Sequence, residues 1–531
     1  RDGRARARLA GGGTRAGDSA WRKVRCLMQG AETGRDSRAF GPNAPNPWIL
    51  VKDGQAMRRG MTENFQVGIM RNGALAATIA VVLAAAPAMA RQPGTPSPPP
   101  AAPAPVASPA PVASPAPLLP PAAQPSPAPV LAAEPVIVPV AETVMTWPLA
   151  DAQALLAVIR EIEAEGLIPA DYLPDALAAA IAAGEGEALN QAASKSFAWL
   201  AEDLRDGRTP MDARVQWFAV DPDQDDNPTP GIMARALENH DIAGALAALA
   251  PQNPDYQVLK QALARTPAAN RKARAQISAN MDRWRWLKQD LGTIYLLTNV
   301  PEFQLRLTVN HRIIRTYRTV VGKPGRTATP QLAETVKAVV FNPTWTVPQS
   351  IVVGEGLGAR LLANPRAAKA EGYVVTKAAD GMVTVVQQPG DGNSLGRMKI
   401  DMPNPHAIYL HDTPSKALFA TPVRAYSHGC VRTEKAVVLG MTMAIMGAGI
   451  TPEQATEYHL SGKLTRVEMT RTFPVYITYF TMGTDITGKL ASFADIYGRD
   501  APVLASFAAP RQIKTTQRKS DEAVVQLDNP L

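Results

Sequence analysis

Hydrophobic residues follow a helical period before residue 290 of this chain and a period of two after it. In Asp151–Leu167, apolar residues recur every three to four positions, acidic residues take the opposite face, and Gly166 is a stop signal. Alanine-rich runs at 175–183 and 243–250 are typical of closely packed helices. We therefore predict a helical scaffold domain over residues 142–289.

After residue 290 the pattern predicts a mostly β domain that extends to residue 500. Phe303, Leu305, Leu307 and Val309 alternate with polar residues, which is typical of a half-buried strand. Further strands are predicted at 313–321, 337–342, 383–386, 407–410 and 475–480. A single helix is expected at about 434–446, ending near Gly447, and residues 501–531 are expected to form a C-terminal tail. The predicted fold class is α+β.

The first 90 residues account for the whole positive charge of the 531-residue chain. They contain 14 basic and 6 acidic residues, which equals the formal net charge of +8, so the remaining residues are balanced. A balanced chain gives no general argument for binding nucleic acid. The composition also excludes a disulfide-stapled scaffold and a multi-cysteine metal protein, because there are only two cysteines.

A secretory signal peptide is predicted at 57–90. Arg58, Arg59 and Arg71 precede an uncharged apolar core at 74–86, and the small-x-small sequence at 88–90 is typical of a cleavage site. The apolar core is well short of the ~20 residues that a spanning helix needs. We therefore expect export, with no spanning segment after the signal peptide is removed.

Two further stretches near the N-terminus are expected to lie outside any globular fold. Translation starting at Met57, Met61 or Met70 would make residues 1–56 an upstream, non-structural leader. Residues 91–141 form a linker rich in Pro and Ala, in which the sequence PVASPA occurs twice. This linker is interpreted either as a tether across a cell envelope or as a disordered leader without a partner.

The exported chain would retain a single thiol, Cys430, because Cys26 lies in the leader. An unpaired cysteine in an oxidising compartment is exposed to oxidation, so its presence needs a reason. Cys430 lies in the sequence Ser427–Arg432 (SHGCVR), and His411 precedes it by nineteen residues. A nucleophilic cysteine requires a neighbouring base or cation, and backbone amides around Gly429 would suit an oxyanion.

The sequence around Cys430 allows two other interpretations, a structural cysteine and a metal site. The first is an inert, buried cysteine on a structural turn, which the flanking histidines and arginine disfavour. The second is a zinc site formed by His411, His428 and Cys430, which lacks an identifiable fourth ligand. We therefore predict neither a metal nor another cofactor.

The sequence from His411–Pro414 (HDTP) to Ser427–Arg432 resembles the signature of the L,D-transpeptidases, the YkuD-domain cysteine enzymes of bacterial peptidoglycan. Supporting stretches are Val321–Pro324 with Thr329–Pro330, Phe341–Pro348, Pro389–Gly396 and Met402–Pro405. The chain is similar to the larger periplasmic subgroup, in which a helical scaffold precedes a catalytic domain with an inserted lid. The resemblance covers 142–500 and places the lid at about 352–395, with possible hinges at 354–356 and 390–392.

By this resemblance, Cys430 is the nucleophile and His411 the general base. The family's third element is a backbone carbonyl beside the histidine, here that of Asp412; its carboxylate is expected on the opposite face. His428 would assist the oxyanion, together with Gly429, or only pack.

Other candidate residues concern the substrate. Arg432 would bind a substrate carboxylate or form a structural ion pair. Tyr409 and Trp345 are candidate pocket walls, and Ser427 is a candidate substrate-binding residue.

The resemblance implies two-step acyl transfer on peptidoglycan stem peptides. Cys430 attacks the L-centre carbonyl of the third residue of a tetrapeptide stem, releases D-alanine and forms a thioester, which an amine of a second stem converts into a 3-3 cross-link. Water as acceptor would give an L,D-carboxypeptidase, and a lipoprotein lysine would give an anchoring enzyme. Carbapenem-type inhibitors are expected to acylate Cys430, and the expected location is the periplasm or cell envelope of a bacterium.

Two alternatives from other classes remain. A cysteine peptidase of the wall-hydrolase type usually has Cys before His, whereas His411 precedes Cys430 here. A non-catalytic wall-binding scaffold protein would leave the thiol and histidines without a use. The chain also departs from many relatives of the subgroup, since about twenty residues between Leu263 and Asn280 leave no room for a peptidoglycan-binding module.

Overall fold

A computed structural model describes residues 143–219 and 228–512. Its first part is helical, as the period of three to four residues predicts. The helices are α1 (Leu149–Glu161), α2 (Pro174–Ala183), α3 (Glu187–Asp206), α4 (Thr229–Glu238), α5 (Ile242–Ala247), α6 (Pro254–Arg265) and α7 (Arg271–Arg285). A 3₁₀ turn at Ile162–Glu165 leads from α1 to Gly166, the predicted stop. The leader, the signal peptide and the linker lie outside the described residues.

The second part is mostly β, and the α+β class is confirmed. The strands are β1 (Ile294–Asn299), β2 (Gln304–Val309), β3 (Arg312–Gly322), β4 (Leu332–Phe341), β5 (Trp345–Thr346), β6 (Tyr373–Lys377), β7 (Val383–Gln387), β8 (Met398–Asp401), β9 (Leu410–His411), β10 (Ala425–Ser427), β11 (Val431–Thr433), β12 (Thr465–Thr478), β13 (Met482–Thr484) and β14 (Leu490–Ser492). The helices between and after them are α8 (Gln349–Val352), α9 (Leu357–Ala363), α10 (Pro365–Ala370), α11 (Ala436–Ala448), α12 (Pro452–Leu460) and α13 (Asp500–Ala508).

The main sheet closes on itself. Its strands follow the order β10-β3-β11-β9-β8-β4-β12-β1-β2, and an additional pairing joins β2 at one end to β3, the strand next to β10 at the other. Helix α11 packs on β12, β4 and β8, and its residues Leu439, Met443 and Ala444 are buried in the same core as the sheet. Closure leaves few edges open to solvent and holds β8, β9 and β11 side by side.

The helical scaffold covers one face of this sheet, and for this reason the prediction of a half-buried β2 is wrong. Arg306 and Thr308, the polar residues of β2, are only 5% and 4% exposed. Arg306 forms ion pairs with Asp255 of α6 at 3.0 Å and with Glu302 at 2.7 Å. The alternation of β2 therefore separates two buried faces, one apolar and one paired with scaffold residues.

Buried polar residues of α7 join the scaffold to the end of the β domain. The carboxylate of Asp282, which is fully buried, accepts hydrogen bonds from the backbone amides of Arg208 at 2.6 Å and Thr209 at 3.0 Å. Arg283 forms an ion pair with Asp500 at 2.6 Å. Asp500 begins α13, so the segment that was expected as a C-terminal tail starts with a helix packed against α7.

Three predicted strands have different bounds. The strand predicted at 337–342 begins five residues earlier, at Leu332, and ends at Phe341. The strand predicted at 407–410 is regular only at Leu410–His411, because Ala407 has a φ of +53° and the side chain of Asn404 binds the carbonyl of Ile408 at 2.7 Å in place of a neighbouring strand. The strand predicted at 475–480 ends at Thr478 and begins ten residues earlier, at Thr465. The helix predicted at 434–446 spans Ala436–Ala448.

Residues 345–387, which we call the insert, form a small unit between β4 and β8. Strands β5, β7 and β6 make a separate three-stranded sheet, and with α8–α10 they bury a core of their own. Asn393 closes the base of the insert, since its side-chain amide donates to the carbonyls of Pro343 at 3.1 Å and Gln388 at 2.9 Å. Residues 354–356, one of the two predicted hinges, lie between α8 and α9 in the interior of the insert and not at its end.

Candidate active site

Three neighbouring strands place charged and titratable side chains in one row. His411 on β9 is the register partner of Arg432 on β11, in parallel pairing, and of Lys399 on β8, in antiparallel pairing. Register partners direct their side chains to the same face of a sheet, so an imidazole lies between two cations. Cys430 immediately precedes β11, two residues before Arg432.

The turn that presents Cys430 is held by hydroxyl groups. Ser427, which is buried, donates its hydroxyl to the carbonyl of Cys430 at 2.6 Å and accepts the amide of Gly429 at 3.2 Å. The hydroxyl of Thr329 donates to the carbonyl of Gly429 at 2.7 Å. Gly429 has a φ of +115°, and a Cβ there would lie 3.0 Å from a methyl group of Ile408, so the turn requires glycine.

The thiol of Cys430 is half-buried and protonated at neutral pH. Its Sγ donates to the carbonyl of Ala407 at 3.5 Å. Burial raises the pKa of the thiol to about 11, although the amide of Tyr409 and the charges of Lys399 and Arg432 act in the opposite direction. The resting site therefore holds a neutral thiol and not a thiolate.

His411 is buried and oriented by a backbone carbonyl. Its Nδ1 lies 2.5 Å from the carbonyl oxygen of Asp412, and because a carbonyl only accepts, the proton is on Nδ1 and the lone pair is on Nε2. Burial lowers the pKa of His411 to about 4, and the charge of Arg432 adds to this effect. At neutral pH His411 is an uncharged imidazole with one free basic nitrogen.

The carboxylate of Asp412 is directed away from the imidazole. It accepts the amide of Arg397 at 3.0 Å and pairs with Lys416. It also lies directly against Gly396, where a Cβ would come within 2.4 Å of a carboxylate oxygen. The carbonyl of Asp412 thus orients His411. The side chain of Asp412 connects β9 to the segment at 396–397, which leads from the insert to β8.

His428 contacts the insert. Its ring is exposed, and Nε2 lies 2.7 Å from a carboxylate oxygen of Glu355, in the segment between α8 and α9. The two candidate histidines therefore differ in surroundings: His411 is buried within the row that faces Cys430, and His428 joins the signature sequence to the insert.

The remaining candidates divide into two groups. Arg432, a member of the row, and Tyr409, beside it, are half-buried. The ring of Tyr409 lies 4.4 Å from the ammonium of Lys399 and 6.2 Å from the ring of His411. Trp345 packs against the core of the insert. The hydroxyl of Ser427 is already hydrogen-bonded within the turn that presents Cys430.

Four residues of the site were not found by sequence reasoning. Thr329 lay in a stretch that carried the family resemblance, but its bond to Gly429 depends on folding. Lys399 enters through strand register, and the carbonyl of Ala407 and the carboxylate of Glu355 enter through loop geometry. None of these contacts leaves a periodic signal in the sequence.

The described ranges contain neither a candidate metal site nor a candidate spanning helix. No group of three or more His, Cys, Asp or Glu side chains there could hold a metal ion. None of the helices in those ranges combines the length and hydropathy that a bilayer crossing needs.

Two family models match segments of the chain. Residues 293–441 match the L,D-transpeptidase catalytic domain (YkuD), and residues 145–263 match the Scaffold domain. A Haemophilus influenzae protein named "Putative L,D-transpeptidase" is 28% identical over 285 residues, which is 50% of this chain and 57% of that protein. The matched region therefore spans a little over half of that relative's length.

Solved structures give weaker likenesses. An L,D-transpeptidase from Mycobacterium smegmatis is 14% identical with a TM-score of 0.18, covering 35% of this chain and 58% of that one. L,D-transpeptidase 1 from Mycobacterium tuberculosis is 12% identical with a TM-score of 0.16, covering 35% and 61%. Likenesses at this level carry no argument about the site.

Proposed function

We propose that this chain, which carries a YkuD L,D-transpeptidase catalytic domain preceded by a Scaffold domain, cross-links peptidoglycan stem peptides through a thioester on Cys430. The observation that carries the proposal is the state of His411. A buried imidazole whose Nδ1 proton is held by a backbone carbonyl presents a free Nε2 on the strand next to the thiol. This is the arrangement that a general base for a cysteine nucleophile requires.

The first step is acylation of Cys430. Nε2 of His411 takes the thiol proton as Sγ attacks the carbonyl of the third stem residue, and a tetrahedral oxyanion forms. Collapse of this intermediate breaks the bond to the fourth residue, and the imidazolium returns the proton to the leaving amine of D-alanine. The product is a thioester and a neutral His411, ready for a second proton transfer.

The amide of Cys430 is our candidate donor to the oxyanion. Among the described residues it donates to no backbone or side-chain oxygen, whereas the amide of Gly429 is bound to the hydroxyl of Ser427. A preorganised amide directed at the developing charge is typical of acyl-transfer sites. We therefore propose that the backbone amide of Cys430 binds the oxyanion, and that His428 serves the contact with the insert.

The second step depends on the acceptor. An amine of a second stem, deprotonated by His411, would attack the thioester and give a 3-3 cross-link. Water would give a carboxypeptidase and a lipoprotein lysine an anchoring enzyme, both from the same acyl-enzyme. The same thiol chemistry predicts acylation by carbapenem-type β-lactams. Export by residues 57–90 would place the enzyme in the cell envelope.

The proposal is tested with the purified protein and synthetic tetrapeptide stems. We expect release of D-alanine, a transient mass increase on Cys430 and a cross-linked dimer, all absent from Cys430→Ala. The variant His411→Gln should lose acylation, whereas His428→Gln, matched in chemistry but outside the row, should keep most of it. Undiminished D-alanine release by Cys430→Ala would refute the mechanism, and release without dimer would favour the carboxypeptidase.

A further inference from the structure

Arg432 is a half-buried cation without a counter-ion among the described residues. No carboxylate in those ranges lies within ion-pair distance of its guanidinium, and its Nε is buried without a hydrogen-bond partner. A buried charged donor without a partner costs free energy that a folded protein normally avoids. Such a group is therefore expected to meet its partner in a ligand.

The acidic residues around Arg432 are already engaged by other cations. Asp412 binds Lys416, and Glu434 binds Arg318 at 2.9 Å. Asp401 is shared by Lys399 at 3.0 Å and Arg466 at 2.6 Å. Rearrangement of a single side chain would therefore give Arg432 a carboxylate only by taking it from another cation.

The position of Arg432 connects it to the reacting atoms. It is the register partner of His411 and lies two residues after Cys430, which along an extended chain is a distance of about 6.6 Å. Its charge lowers the pKa of both the Cys430 thiol and the His411 imidazole. A carboxylate held by this guanidinium would lie about one residue away from a carbonyl attacked by Sγ.

We propose that Arg432 binds the terminal carboxylate of the donor stem, the carboxylate of the D-amino acid that leaves on acylation. This inference rests on the proposed function and adds its donor specificity. The carboxylate lies one residue beyond the scissile carbonyl, and a guanidinium pairs with a carboxylate through two parallel N–H donors. A free C-terminal carboxylate would then distinguish a donor stem from one whose end is already amide-bonded.

The test compares a tetrapeptide donor with its C-terminal carboxamide. For the wild-type protein we expect kcat/KM for acylation to be about 10- to 100-fold higher with the free acid, the range typical of a charge-assisted hydrogen-bonded pair. Arg432→Gln should remove this preference, because the rate with the acid should fall about 10- to 100-fold more than the rate with the carboxamide. Arg432→Lys, which keeps the charge without the fork, should retain part of the preference.

Lys399→Gln is the matched control. It removes a cation on the other side of His411, but one that is already paired with Asp401, so the ratio of acid to carboxamide should stay at the wild-type value. Alkylation of Cys430 by iodoacetamide, a neutral reagent, separates substrate binding from an effect on the thiol. Equal losses with acid, carboxamide and iodoacetamide in Arg432→Gln would show that Arg432 acts on the thiol, and would overturn the assignment.

Comparing the acid and the carboxamide on the wild-type protein also tests the role of Arg432, and this comparison does not require any variant to fold. Equal turnover of the acid and the carboxamide would overturn the assignment of the carboxylate and leave the transpeptidase proposal standing. Turnover of neither substrate by a protein whose Cys430 is alkylated normally would overturn both.

Discussion

The pH dependence of acylation tests the state of His411. Since burial lowers the pKa of His411 to about 4, the imidazole stays neutral when the pH is lowered from 7 to 5. A base with the ordinary pKa of ~6.5 would lose its neutral form about 25-fold over that interval, whereas one with a pKa of ~4 loses about 10%. The thiol, with a pKa of about 11, does not titrate in this range. We therefore expect an acylation rate that is almost flat between pH 7 and 5.

The assay is the second-order rate of Cys430 acylation by a carbapenem, followed by mass spectrometry, because this rate reports the free enzyme. His428→Gln is measured beside the wild type, since His428 is the exposed histidine near the signature and contacts Glu355. Circular dichroism at each pH ensures that the fold is intact. A 25-fold fall with a midpoint near pH 6.5 that persists in His428→Gln would refute the assignment of a buried, neutral base.

The same shift makes a prediction for stability. The folded-state pKa of His411 lies below the unfolded value, so its contribution is fully present above pH ~6.5 and is lost as the pH falls through about 4. The difference between 6.5 and about 4 corresponds to about 3 kcal/mol. Urea unfolding at pH 7 and pH 4 should show this loss in the wild type. A His411→Asn variant should show a loss smaller by about that amount, and equal losses in the two proteins would contradict the linkage.

Three further predictions concern the supports of the site. Thr329→Val removes a hydroxyl that holds the carbonyl of Gly429, so acylation should fall while urea unfolding shows a cost of about 1 kcal/mol; Thr329→Ser should restore most activity. Asp282→Ala leaves buried donors of α7 and Arg208 unpaired, and should lower the free energy of unfolding by about 3–5 kcal/mol in a urea titration. Glu355→Gln weakens an exposed contact with His428, so KM for the donor should rise by at most about 5-fold with iodoacetamide alkylation unchanged; an altered alkylation rate would contradict this.

The periodicity of the sequence predicted which segments form helices and strands. It did not predict which strand faces are buried by another part of the chain. The helical period of α1 was sufficient to predict that helix and its stop at Gly166. The alternation in β2 predicts one face exposed to solvent and one buried face, because nothing in β2 indicates that Arg306 pairs with Asp255 of a helix distant in sequence. The period of a strand gives its two faces, but only tertiary packing decides what each face meets.

In the candidate site, too, some features were predicted from the sequence and others depend on tertiary packing. Family resemblance named Cys430 and His411; in the structure His411 lies on β9, and Cys430 immediately precedes the adjacent strand β11. It did not predict where the insert begins, because the glycines at 354–356 are typical of a turn wherever the turn lies in the insert. That Arg432 has no ion-pair partner among the described residues could not be read from the sequence either, since only the folded structure shows that the surrounding acidic residues are already paired.

The resting state of the site gives a physical reason why one unpaired thiol is compatible with an oxidising compartment. Oxidation and alkylation proceed through the thiolate. At pH 7.5, a thiol with a pKa of about 11 holds roughly 100-fold less thiolate than one with a pKa of about 9, because burial outweighs the two nearby cations. A neutral thiol beside a neutral imidazole is thus protected until a bound carbonyl gives the proton transfer to His411 a productive outcome. Cys430 should accordingly react with hydrogen peroxide much more slowly than a free cysteine while still being acylated by a donor stem.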